Sequence, residues 1–155
     1  MQTIRIDERF DRFEELLSLI LTSFAYMEGR IDPPSSARAL TVGALRHKAK
    51  NELAFAIADE RDLLGCVFCK RETDCLYIGK LAVAPPCQGK GVGRLLLAAA
   101  ERTARELGLP ALRLQTRIEL AANHATFVAW GFVETGRSAH PGFTRPTSIE
   151  MWKLL

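Results

Sequence analysis

Leu81-Ala82-Val83-Ala84-Pro85-Pro86-Cys87-Gln88-Gly89-Lys90-Gly91-Val92-Gly93-Arg94 reads as a strand end, a turn and a glycine-rich loop that opens a helix. Such a loop binds phosphates. Its backbone N–H groups converge with the positive end of the helix dipole, glycines let an anion approach without a Cβ in the way, and Lys90 and Arg94 add charge. Two familiar phosphate loops do not fit. A P-loop needs a lysine followed by Ser or Thr at the end of GxxxxGK, which is absent, and GxGxxG would require glycine where Arg94 stands.

Outward from this loop the pattern alternates between periods. Downstream, Val92, Leu95, Leu96, Ala99, Thr103 and Leu107 share one helical face, and Gly108 with Pro110 closes the helix. Strand 111–116, a helix over about 120–130, strand 132–136 and strand 148–154 follow. Upstream, the apolar runs 53–58, 63–70 and 75–83 are separated by charged turns and predict an antiparallel meander. Before them, strand 3–6 leads into a helix from about Asp7 to Met27, carried by Phe10, Phe13, Leu16, Leu17, Ile20, Leu21 and Phe24. Pro33 and Pro34 make 28–35 a loop, and Ser35 or Ser36 caps a second helix reaching about Lys50. The order β-α-α-β-β-β-α-β-α-β-β is α/β in the broad sense, or α+β where class follows the antiparallel half.

The 155 residues fit one domain spanning 1–155, with 48% hydrophobic and 25% charged residues, far from the composition of disorder. Lys and Arg number 21 against 18 Asp and Glu, and they are scattered, so a nucleic-acid partner is not expected. The longest stretch without a charge, Leu16 to Met27, is too short to span a membrane. The first residues lack the apolar run of a secretory leader, so the cytoplasm is the expected compartment. Cys66 and Cys69 form a CxxC inside an apolar run, where positions three apart point to opposite faces of a strand. Buried structural thiols are expected there, and no metal site.

Gln88, Gly91 and Gly93 form Q-x-x-G-x-G behind a strand reading L-x-V. Together with strand 111–116 and the helix ending Phe127-Val128-Ala129-Trp130-Gly131-Phe132, this resembles the GCN5-related N-acetyltransferases. The matching core runs from about Leu76 to Val133. The resemblance implies a mixed, mostly antiparallel central sheet flanked by helices, with a cleft where the strand ending at Val83 splays from strand 112–116. It implies that Gln88, Gly89, Lys90, Gly91, Val92, Gly93 and Arg94 grip the pyrophosphate of acetyl-CoA, the acyl donor. Leu81, Ala82 and Val83 would meet the pantetheine arm through main-chain groups, joined by Asn123 and Phe127.

The chain departs from the family at two catalytic positions. Phe127 stands where members often place a tyrosine that protonates the leaving thiolate, and a phenyl ring has no proton to give. Tyr77 stands where some relatives carry a glutamate base. It either touches the acceptor or is a half-buried strand tyrosine, and a phenol of pKa about 10 is a weak base near neutrality. Glu119 and His124, after the C-terminal end of a central strand, are the preferred acid–base residues, although His124 also reads as an exposed helix residue. The acceptor end is expected to involve Tyr26, Glu28, Arg30, Arg117 and His140. The mixed charges of 28–32 suit a polar or zwitterionic amine or simply a solvated loop, and His140 either lines the acceptor mouth or makes a turn. The expected function is acetyl transfer to a primary amine, small molecule or peptide, by direct attack. The alternatives are a catalytically silent acyl-CoA-binding module and transfer of another acyl group. A homodimer is consistent with the resemblance.

Overall fold

The computed structural model describes residues 1–155. Strand β1 (Gln2–Arg5) precedes helix α1 (Phe13–Phe24), helix α2 (Val42–Asn51) and the meander β2 (Leu53–Ala58), β3 (Leu63–Arg71) and β4 (Leu76–Val83). Helix α3 (Val92–Glu106), β5 (Ala111–Arg117), α4 (Ala121–Ala129), β6 (Val133–Ser138) and β7 (Ser148–Leu154) complete the chain. The element order is the one the periodicity predicts. The seven strands form one sheet in the order β1-β2-β3-β4-β5-β7-β6, antiparallel throughout except for the β4–β5 pair. No helix is long and apolar enough to cross a membrane.

Alternation of side chains along the strands supplies two apolar faces, each covered by helices. Leu16, Ile20 and Leu45 of α1 and α2 pack with Ala54, Ala56, Cys66 and Phe68 on one face. Val92, Leu96 and Ala100 of α3 pack with Val67, Cys69, Leu112, Leu114 and Met151 on the other. Each large aliphatic or aromatic side chain buried this way contributes about 1.5–3 kcal/mol. Cys66 and Cys69 fall on opposite faces, both fully buried, and desolvation pushes each thiol up to about 12.

Two predicted helices are shorter than their apolar pattern. Residues 7–12 are not helical: Asp7 Oδ1 takes the Arg9 N–H at 2.9 Å and Asp7 O takes the Phe10 N–H at 3.1 Å, closing a turn. Phe10 still packs edge-on against Phe13 at 5.0 Å, which is why the periodicity runs through the turn. The second helix divides. Ser35 does cap a turn, accepting the Ala37 N–H at 3.2 Å, but only a 3-10 turn over Ser36–Ala39 follows. The chain then extends at Leu40, and Thr41 caps α2 by accepting the Ala44 N–H at 3.1 Å.

Two irregularities in β4 create the functional cleft. Phe68 pairs with Lys80 and Cys69 with Ile78, so Gly79 is left over as a bulge. The bulge resets the alternation: Ile78 and Leu81 both pack toward α3, and Lys80 lies on the α1 side with its Nζ 5.9 Å from the Phe24 ring. β4 pairs with β5 only at Leu76–Leu112, Tyr77–Arg113 and Ile78–Leu114. Beyond Ile78 the two parallel strands part, as the resemblance implies.

Candidate active site

Gly89 and Gly91 hold φ of +77° and +87° in the turn before α3, and an added Cβ at either would meet nothing within 4 Å. The turn therefore faces open space in a conformation that glycine adopts without strain. Gly91 is the N-cap of α3 and provides no side chain to cap it. Six consecutive peptide N–H groups, Gly89 through Arg94, find no acceptor in the fold; the first helical bond here is Leu95 N–H to Gly91 O at 3.1 Å. Orphan donors, helix dipole, and the exposed Lys90 and Arg94 together form an anion cradle. Two residues of the motif have other roles. Gln88 Nε2 donates to the Val83 carbonyl at 3.3 Å, and Ser23 Oγ, whose single proton is shared with the Leu19 carbonyl at 2.7 Å, lies 3.1 Å from the same oxygen at the end of β4. A Cβ on Gly93 would come within 2.8 Å of Trp130 Cη2, so this glycine lets α3 and α4 approach.

A cavity of about 270 Å³ occupies the gap between β4 and β5. Tyr77, Lys80 and Leu81 line it from β4, Arg117 from β5, and Asn123 and Phe127 from α4. His140, from the β6–β7 loop, and Met27 and Ile31, from the segment between α1 and α2, close its other end. Ala82 is buried on the α1 side and Val83 packs toward α3, and neither is among the residues that line the cavity. Phe127 stacks edge-on with Trp130 at 5.7 Å and Phe132 at 5.9 Å, which ties the cavity floor to the core. Asn123 Nδ2 donates to Tyr26 Oη at 3.0 Å and so joins α4 to the end of α1.

The acid–base candidates are placed differently from one another. Glu119 does not line the cavity. Its Oε2 accepts the Asp32 N–H at 3.1 Å and stands 4.0 Å from Arg145 Nη1, joining the α1–α2 and β6–β7 loops. His124 also stands outside the lining, with Nε2 2.9 Å from the Arg117 carbonyl. Tyr77 lines the cavity, half-buried beneath the Arg113 guanidinium at 4.4 Å, and burial raises its phenol further above 10. His140 lines the cavity as well. Its peptide N–H donates to Thr147 Oγ1 at 2.9 Å, and its Nδ1 contacts the same oxygen. Burial holds the imidazole below its ordinary 6.5; Arg117 pushes it the same way and Glu119 opposes. Glu28 lies apart from the cavity and pairs with Arg38 at 3.8 Å, and Arg30 is exposed in the same loop.

The sequence profile described as the acetyltransferase (GNAT) family matches residues 13–132. Over 55 residues the chain is 46% identical to an aminoglycoside N(6')-acetyltransferase type 1 of Stenotrophomonas maltophilia, a match covering 36% of each protein. The matched stretch thus spans about a third of that relative's length. In fold the chain is similar to the PaiA N-acetyltransferase of Thermoplasma acidophilum, solved with coenzyme A, at a TM-score of 0.80 and 16% identity over 100% of both chains. It is also similar to the ribosomal-protein-S18-alanine N-acetyltransferase of Escherichia coli, at 0.66 and 20% identity over 99% of this chain and 94% of that one.

Proposed function

The chain belongs to the acetyltransferase (GNAT) family, and from that premise we propose that it transfers the acetyl group of acetyl-CoA to a primary amine by direct attack. The observation that carries this is the row of six unaccepted N–H groups at the start of α3, beside a cavity that opens where β4 leaves β5. These donors, with Lys90 and Arg94, suit the pyrophosphate, and the parted strands offer main-chain groups around Leu81 and Val83 to the pantetheine amides. Acetyl-CoA, when bound, supplies the acetyl group as an activated thioester. Asn123 and Phe127 bound the same gap, one polar and one apolar.

The chain's own part is to orient the amine and to take its proton. His140 Nε2 is the base. Thr147 Oγ1, fully buried, stands 3.4 Å from the Ser138 carbonyl and has one proton to give. With that hydrogen bond donated to the Ser138 carbonyl, Oγ1 accepts the His140 peptide N–H, and in the proposed reading it accepts Nδ1–H as well. Nε2 then keeps its lone pair, and the lowered pKa leaves the ring neutral near pH 7. Phe127 has no proton to offer the departing thiolate, which takes one from solvent.

The test is a thermal midpoint measured with and without acetyl-CoA, followed by thiol release from a panel of amines. Ligand at about 100 times Kd adds roughly 2.7 kcal/mol, which for a chain of this size is about 5–10 °C. Absence of any shift sinks the proposal. A shift without thiol release from any amine supports instead a silent acyl-CoA-binding module.

A further inference from the structure

The walls of the cavity between β4 and β5 carry charge of one sign. None of its lining side chains is acidic, whereas Lys80 and Arg117 both line it. The carboxylate that acts on Lys80, Glu52, is held by Lys48 at 2.7 Å. Arg117 Nη2 donates to the Pro34 carbonyl at 3.2 Å, but Nη1 is buried with no partner. The carboxylates that act on Arg117 are committed elsewhere: Asp32 bonds Arg145 Nη2 at 3.2 Å, and Glu119 takes the Asp32 N–H. Burial lowers the pKa of both cations, and the neighbouring Lys48 lowers that of Lys80 further.

A buried guanidinium N–H without an acceptor is costly and rare in a folded protein. Its lowest-energy partner is an anionic oxygen. We infer that the acceptor carries a carboxylate as well as its amine, and that the Arg117 guanidinium, assisted by Lys80, receives that carboxylate. The substrate class is then a small amino carboxylate. A polycation such as an aminoglycoside would meet two like charges in the same cavity, and no acidic wall. A phosphate monoester presents the same anionic oxygens to these two cations, and phosphoethanolamine is therefore the competitor that a test must rank beneath the carboxylate. The donor's own phosphates have the separate cradle at α3, so they do not require Arg117. The inference rests on acetyl transfer as proposed above.

Thiol release from acetyl-CoA is compared for ω-amino acids of graded chain length, their carboxamides, phosphoethanolamine and an aminoglycoside. For at least one chain length, kcat/KM for the carboxylate exceeds that for its carboxamide by about 10- to 100-fold, the usual scale of a hydrogen bond to a charged group. Arg117→Gln brings this ratio close to unity and Arg117→Lys restores part of it. Because Arg117 also holds Pro34, Lys80→Gln serves as a second variant and lowers the ratio several-fold. Thermal shift by the same carboxylates, in the presence of coenzyme A, gives a reading that does not depend on turnover. Equal or better use of the carboxamide, of phosphoethanolamine or of the aminoglycoside overturns the inference, as does a ratio unchanged in both variants. Thiol release from neutral amines without preference defeats the carboxylate inference alone. No shift by acetyl-CoA and no thiol release from any amine defeats acetyl transfer, and the inference with it.

Discussion

At the scale of single residues, the proposed reaction makes His140 the base and leaves Phe127 with no proton to give. Replacing His140 with Ala removes the base and is expected to lower kcat/KM by about 10²- to 10⁴-fold. The pH profile tests the same residue. His140 must be neutral to accept a proton, and its pKa is held below 6.5, so activity falls only as pH drops through that lowered value. Arg117 lowers it, Glu119 raises it, and Arg145 stands on the same loop beside Glu119. Arg117→Gln therefore moves the acid limb up toward 6.5, and an unmoved limb would assign it to another group. The anion loop was legible in the sequence because its glycines and cations are contiguous. The base role proposed for His140 was not, because it depends on the contact with Thr147, across a loop whose path no local pattern encodes. Glu119 and His124 were singled out for lying after a central strand, yet their side chains face a loop N–H and a main-chain carbonyl.

At the scale of elements, the proposed donor site at the start of α3 rests on backbone geometry. Gly91→Glu places a side chain and a negative charge at φ +87°, beside the orphan N–H groups. The acetyl-CoA-induced rise in midpoint should vanish in this variant, whereas its retention would place the donor elsewhere. Gly65 is the corresponding position on the sheet. A Cβ there would stand 2.7 Å from Val92 Cγ1 and 2.9 Å from the Ala82 carbonyl, so α3 or β4 must move. Gly65→Ala is expected to cost about 1–3 kcal/mol, or roughly 3–10 °C in midpoint. Gly43 in α2 is the contrasting case: its Cβ would meet only Thr41 Oγ1 at 3.9 Å, and Gly43→Ala should gain about 0.5–1 kcal/mol. Strand and helix existence followed from periodicity. The bulge at Gly79 did not, because one surplus residue leaves the apolar run intact while reversing which face each later side chain takes.

At the scale of the whole molecule, β4, β5 and β7 are pinned on the open face by one charged cluster. Arg113 donates to Glu72 at 3.1 and 3.2 Å and to Glu150, while its guanidinium covers Tyr77. The hydrogen bonds from Arg113 hold the Glu72 carboxyl below its ordinary 4.5. A carboxylate with a depressed folded pKa contributes stability that is present above 4.5 and is lost as pH falls through the lower folded value. The midpoint should therefore fall more steeply with acid in the parent protein than in Arg113→Ala. That variant should also be about 1–3 kcal/mol less stable at neutral pH, because it leaves two carboxylates facing one gap. Equal acid slopes would remove the cluster from the account of stability. Fold class and element order were readable because each rests on burial repeated over many residues. This cluster joins residues 41 and 37 positions apart and has no local signature.

In the proposed reading the donor cradle is built mainly of peptide N–H groups, and the acceptor walls are side chains from two strands, one helix and two loops. Peptide groups are common to every residue, so most substitutions leave the cradle's N–H groups in place, and its glycines with Lys90 and Arg94 are the positions that constrain it. The acceptor walls have no such protection, and each changes with a single codon. A scaffold divided in this way lets mutation retarget the acceptor while donor recognition stays fixed.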